Sequence, residues 1–231
     1  MELGGLRVAL GRALEGRRLL DHPFYRRWSM GQVSVQELRA YAGQYRHFER
    51  KLPSVLIHIA AAATTKAARA LALQNLADEA GEGTSHLDLF EQFATAIDAP
   101  AEVAPSPATA SLLKSYEDAS GRGAAEAFAG VWAYEAQAAE VSESKSRGLR
   151  EHYGVSGEGL RFWDVHARID QGHASWALEA IAGMVEEPTS VLRSARLAAN
   201  AWWEFLDERE SMAALDGPGA RIEPVPASVH T

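Results

Sequence analysis

A chain of 231 residues with 47% apolar side chains and a net charge of -8 can bury a substantial core and is too apolar to be a disordered protein. The acidic balance, with no basic stripe, argues against nucleic acid as the main partner. Cysteine is absent, which removes disulfides, thiolate metal sites and thiol nucleophiles together and leaves His, Asp and Glu as the strong metal ligands.

Residues 2–20 predict an amphipathic helix, with Leu3, Leu6, Leu10, Leu14 and Leu19 near helical spacing. The start has no uninterrupted apolar segment of the signal-peptide kind. Asp21-His22-Pro23-Phe24-Tyr25 interrupts the helix, because the residue before a proline avoids helical geometry. Ser34-Val35-Gln36-Glu37 is a capping box that opens a helix carrying Leu38, Tyr41, Tyr45, Phe48 and Leu52 on one face. That helix continues past Pro53, with a kink expected there, to Ala63. Its apolar run, Val55 to Ala63, is interrupted by His58 and is too short to span a bilayer, so no membrane association is expected and the expected location is cytoplasmic.

Thr65 opens a third helix that reaches Asp78-Glu79. Gly81 and Gly83 then impose a break or an irregular turn before helix resumes through Leu87, Leu89, Phe90 and Phe93. Asp98 to Pro107 is a linker with three prolines, and Ser106-Pro107 starts the next helix. A long helical pattern covers about 123–153, stopped by Gly154, and another covers about 158–184. The last helix spans 191–212. The expectation is a single all-α domain of about seven helices over residues 1–212, with a disordered tail over 213–231 that contains Pro218, Pro224 and Pro226.

In the 158–184 helix, His166, Asp170 and His173 stand at i, i+4 and i+7, within roughly 60° of arc on one stripe. Two imidazoles and a carboxylate on one line suit a first-row metal ion; partly buried histidines beside a surface aspartate would give the same pattern. Glu79 and His86, seven residues apart, would align to within about 20° on a continuous helix. Glu135 sits in the apolar run Trp132-Ala133-Tyr134-Glu135-Ala136-Gln137, where an acid is costly unless paired or metal-bound, although a solvent-facing position is the simpler reading. Together these six residues supply three carboxylates and three imidazoles, about what two Fe(II) or Mn(II) ions require with positions left open for dioxygen. The Glu-x-x-His motif of ferritin-like centres is absent.

Three pieces in this order, Asp78-Glu79-(x6)-His86, Tyr134-Glu135-Ala136-Gln137 and His166-(x3)-Asp170-(x2)-His173, resemble the haem-oxygenase-like di-iron oxidase family over roughly residues 10–210. Fold relatives of that family are pyrroloquinoline-quinone-synthase-like and thiaminase-II-like proteins; the thiaminase chemistry needs a thiolate that this chain lacks. Within the family, Asp21-His22-Pro23-Phe24-Tyr25 is similar to the branch of 4-aminobenzoate synthases typified by the chlamydial protein associating with death domains (CADD). The resemblance implies a haem-oxygenase-like helical bundle, a homodimer, and two iron ions or an Fe/Mn pair held by Glu79, His86, Glu135, His166, Asp170 and His173. It implies dioxygen and an external reductant as co-reactants. It further implies that Tyr25 is a self-substrate whose ring becomes 4-aminobenzoate for folate biosynthesis, that Lys145 donates the nitrogen, and that Tyr41 supports radical transfer.

Read without the resemblance, Tyr25 is an amphipathic core residue and Lys145 a solvated lysine, about 15 Å along a straight helix from Glu135. Phe162 stands where the branch carries tyrosine. Two other functions remain open on the sequence. One is a dinuclear iron oxygenase acting on a free amino acid or fatty acid, with an apolar channel near Leu56, Ile59 and Phe90; the other is a metal-free helical binding protein. Trp202 and Trp203, read as exposed on the last helix, suggest a dimer contact.

Overall fold

The computed structural model describes residues 2–81 and 83–216, apart from the side chains of 169–171 and 213–216. Helix α1 (Leu3–Ala13) is shorter than the leucine spacing predicts. The chain leaves it through turns that end at Gly16, whose φ of 70° favours glycine, and Leu19 then begins a single 3-10 turn, Leu19–Asp21. The expected interruption contains the start of a helix of its own: α2 (Pro23–Ser29) takes Pro23 in its first turn and buries Phe24, Tyr25 and Trp28.

Helix α3 (Val35–Ala62) begins at the Ser34/Glu37 capping box and runs through Pro53 to Ala62, as predicted. Its buried face holds Leu38, Tyr41, Tyr45, Phe48 and Leu52, and also the charged residues Arg46 and Glu49. Thr65 caps α4 (Lys66–Ala80), and a second capping box, Ser85 with Asp88, opens α5 (His86–Ala96). Between them Gly81 takes a φ of 65°; a Cβ there would lie 2.0 Å from the Thr84 carbonyl oxygen, so only glycine makes this turn.

The remaining helices are α6 (Pro107–Arg122), α7 (Ala124–His152), α8 (Glu158–Ala182) and α9 (Thr189–Asp216). Among the described residues there are nine α-helices, one 3-10 turn and no strand. The count exceeds about seven chiefly because Pro23 starts a separate helix inside the expected interruption. The tail beyond residue 216 lies outside the described residues.

Helix α7 is the centre of the bundle, packed along α8 and flanked by α9, α6, α3 and α2. Every residue from Ala127 to Glu135 is buried, so α7 has almost no polar face over that length. At Gly148 an added Cβ would lie 2.9 Å from Trp28 Cδ1, and this close approach lays α2 onto α7. The expected outward tryptophan pair is not present as such. Trp202 is buried, stacked on Tyr134 at 4.5 Å and donating to the Tyr116 hydroxyl at 2.9 Å, while Trp203 is half-buried against His22. Trp202 faces inward because α9 presents that side to α6 and α7. No described helix is long and apolar enough to cross a membrane.

Candidate dinuclear metal centre and an adjoining tyrosine–lysine pocket

Glu79 closes the last turn of α4 and His86 is the first residue of α5. They do not align along one helix. The break at Gly81 separates the two helices, and His86 Nδ1 lies 3.1 Å from a Glu79 carboxylate oxygen, with both side chains buried. Glu135 enters from the middle of α7, and His166 and His173 from α8. The side chain of Asp170 lies outside the described residues.

His166 donates from Nδ1 to the Phe162 carbonyl oxygen at 2.7 Å, because a carbonyl can only accept. Its Nε2 is then the nitrogen with a free lone pair, and its ring lies 4.4 Å from that of His86. Burial, helped by His86, lowers its pKa to about 4, so this imidazole is neutral at physiological pH and able to ligate a cation. Burial acts to lower His173 as well, but the carboxylates of Glu135, Glu79 and Asp78 outweigh it and raise this imidazole to about 9. Its Nε2 lies 3.2 Å from Asp78 and its Nδ1 3.6 Å from Glu135. Burial pushes Glu135 above the ordinary carboxylate range; for Glu79 the same burial is overcome by the hydrogen bond and charge of His86 and by the other two histidines, and it falls below that range.

The donors form two overlapping triads, Glu79/His86/His166 and Glu79/Glu135/His173, with ligand atoms all within 4.8 Å of one another in each. Glu79 belongs to both. A third buried acid, Glu49 on α3, is raised well above its ordinary value by burial and then by the charges of Glu79 and Glu135. Among the described residues, the ion-pair partners of Glu79 and Glu135 are imidazoles. Crowded, buried acids of this kind carry a large desolvation and repulsion cost that cations relieve. Oxygen and imidazole donors suit iron or manganese, so the residues fit a dinuclear centre.

Tyr25, on α2, is buried with its hydroxyl 2.9 Å from that of Tyr41. Lys145 is not solvated: it is 2% exposed and donates from Nζ to the Tyr41 hydroxyl at 2.6 Å. The amine lies 4.6 Å from the Tyr25 ring centroid, 4.2 Å from Trp163 and 4.9 Å from Tyr45. Burial lowers its pKa well below the usual lysine value.

Lys145 meets the ligand cluster through intermediaries. Tyr41 stacks on Tyr45 at 5.5 Å, Tyr45 contacts Phe162 at 6.3 Å, and Phe162 lies 4.2 Å from His166. Tyr45 also shares a 2.6 Å hydrogen bond with Tyr134, next to Glu135. Phe162 supplies a ring without a hydroxyl at the point where this path reaches a histidine.

Sequence reasoning missed Tyr45 and Glu49 as site residues. A signal was present, since Tyr41, Tyr45 and Glu49 stand at i, i+4 and i+8, and a glutamate on the apolar stripe of α3 raises the same question as Glu135. Leu56, Ile59 and Phe90, expected near a channel, are buried in the core. Two surface clefts, of about 350 and 360 Å3, lie elsewhere, one lined by charged residues of α7 and α8 and the other by Arg50, Glu102, Val103 and Ala104.

Residues 39–203 match a protein family described as iron-containing redox enzymes. The chain is 31% identical over 210 residues to a 4-aminobenzoate synthase from Chlamydia pneumoniae, covering 85% of this chain and 91% of that protein. Among solved structures it resembles a domain of unknown function with a haem-oxygenase-like fold from Shewanella denitrificans, with a TM-score of 0.76, 14% identity, and 97% of this chain and 99% of that one covered. A CADD-like protein of unknown function from Nostoc punctiforme gives a TM-score of 0.74 at 18% identity, covering 92% and 99% of the two chains.

Proposed function

This chain belongs to the haem-oxygenase-like family of iron-containing redox enzymes, and on that premise we propose that it is an oxygen-dependent 4-aminobenzoate synthase that consumes its own Tyr25. The observation that carries the reading is the Lys145 amine lying against the face of the Tyr25 ring in the closed core, one tyrosine stack and one phenylalanine away from the two ligand triads. Glu79, His86, Glu135, His166, Asp170 and His173 would hold two iron ions, or iron with manganese, which supply dioxygen activation with electrons from an external reductant.

The protein's own groups prepare the reaction. A benzoate skeleton is the ring plus one carbon, so Tyr25 would leave with its Cβ as the carboxyl carbon, and the break falls between Cα and Cβ. The ring carbon that bears the phenol oxygen must exchange it for nitrogen. The oxygen would leave as water, and the Lys145 Cε–Nζ bond would break to release the nitrogen with the ring. Dioxygen would be the oxidant for both the Cα–Cβ and the Cε–Nζ cleavage. Burial lowers the Lys145 amine well below the usual lysine value, which favours the neutral form whose lone pair this substitution needs. Tyr41 accepts from that amine and shares a hydrogen bond with the Tyr25 hydroxyl, so one residue orients both reactants. Trp28 and Trp163, both buried, exclude water around them. His166 donates to the Phe162 carbonyl from Nδ1, which leaves the lone pair on Nε2, the tautomer a ligand requires.

The deciding experiment loads purified protein with Fe(II), with and without Mn(II), exposes it to oxygen and a reductant, and follows intact mass and released 4-aminobenzoate. The expected result is a mass loss mapped to Tyr25, product carrying label from 15N-lysine, and no product from Tyr25→Phe. Unchanged mass with many products per chain would overturn the self-substrate and point to a free amino acid or fatty acid. For the assembly we propose a homodimer, which light scattering on the eluted peak tests directly.

A further inference from the structure

His22 belongs to the run that carries Tyr25, yet neither metal binding nor amine chemistry uses it. It is fully buried, a position histidine occupies at low cost only when its nitrogens are satisfied. Its Nδ1 lies 3.1 Å from the backbone nitrogen of Phe24. A peptide N–H can only donate, so Nδ1 must be the bare nitrogen and the ring proton sits on Nε2. Nε2 in turn lies 3.1 Å from an Asp207 carboxylate oxygen on α9, which can only accept. The two bonds select one neutral tautomer. Trp203 packs against the ring edge-on at 4.7 Å and sets its plane, and burial holds the imidazole below its ordinary pKa, which keeps it neutral.

His22 is also the N-cap of α2, a helix of seven residues with Tyr25 in its first turn. Histidine is outside the usual capping set, and an asparagine or aspartate would accept from Phe24 equally well. What a short side chain lacks is reach: the imidazole caps α2 with one nitrogen and docks it on α9 with the other. The far end of α2 is anchored separately, by Arg27 to Glu210 and Glu37, beyond the turn that holds Tyr25.

We infer that His22 is a positioning residue for the reaction: fixed in its Nε2–H tautomer by Asp207, it caps α2 and holds the Tyr25 ring at its distance from the Lys145 amine. This rests on Tyr25 being the self-substrate, and the test separates the two. In metal-free protein, 15N-histidine NMR should show the Nε2–H form for His22, and Asp207→Ala, a change at an exposed side chain, should mix the tautomers. Amide exchange at Tyr25 should rise roughly five- to ten-fold in His22→Ala, the scale of a lost cap. In metal-loaded protein with wild-type metal content, conversion of Tyr25 should fall at least about ten-fold in His22→Ala and to an intermediate level in Asp207→Ala and His22→Asn, which keep one of the two bonds; a general loss of stability would instead scale with the unfolded fraction. An Nδ1–H form, or unchanged Tyr25 exchange, overturns the clamp even if wild-type protein makes no product. Wild-type conversion in folded His22→Ala overturns the positioning role even if the clamp is present.

Discussion

Lys145→Met tests whether the amine is held neutral by the fold. Methionine matches the length of the lysine stem without the charge, and Tyr41 keeps Tyr25 as a hydrogen-bond partner, so the substitution strands no polar group in the core. Burial lowers the amine well below the ordinary lysine value of 10.5, so the folded state holds this proton less tightly than the unfolded chain. Folding then expels a proton at any pH between the two pKa values. The cost shrinks as pH rises toward 10.5 and vanishes above it. One proton corresponds to about 1.4 kcal/mol per pH unit. Urea unfolding of metal-free wild type and Lys145→Met at pH 7, 8, 9 and 10 should therefore show the variant's advantage shrinking as pH rises toward 10.5, by up to about 1.4 kcal/mol for each unit above the folded-state pKa. Taking the difference between the two proteins cancels the other titrating groups. A flat difference across this range would mean the amine is charged in the folded state, and Lys145 could not attack the Tyr25 ring as a free base. The loaded variant should also release no 4-aminobenzoate.

His173, raised to about 9, keeps a proton in metal-free protein; the stability this supplies is fully present below the ordinary histidine value of 6.5 and is lost as pH rises through about 9. Ligation must displace that proton, so Mn(II) affinity measured by calorimetry should rise by up to about ten-fold per unit between pH 7 and 9, with proton release that varies with the buffer. Gly81→Ala places a Cβ against the Thr84 carbonyl at a φ of 65° and should cost about 1–3 kcal/mol in thermal unfolding. Because the same turn brings His86 to Glu79, metal content measured by elemental analysis should fall as well. Tyr25→Phe leaves Tyr41 with Lys145 as its donor and should cost no more than about 1.5 kcal/mol, which separates its expected loss of product from misfolding.

Much of the bundle was legible because helix signals are local. The Ser34/Glu37 box, Thr65, Ser106-Pro107 and the glycines at 81, 123 and 154 mark ends through contacts within a few residues. The described donors, Glu79, His86, Glu135, His166 and His173, could be nominated from residue type and spacing, and the structure gathers them into two triads. Helical spacing explains only the α8 pair: Glu79 and His86 meet across the break between α4 and α5 rather than along one helix.

Tertiary structure decided which polar groups were removed from water. Helix α7 is buried on nearly every side over Ala127–Glu135, so it has no polar stripe against which to judge Glu135, and Lys145 further along reads as solvated until α2 crosses at Gly148 and covers it. Glu49 and Tyr45 join the site because α4, α5 and α7 close over that face of α3, and Trp202 turns inward because α9 docks on α6 and α7. Residue type and spacing determine what a side chain can bond to; the dielectric around it, and with it the charge of Lys145 and Glu49, is set by neighbours distant in sequence.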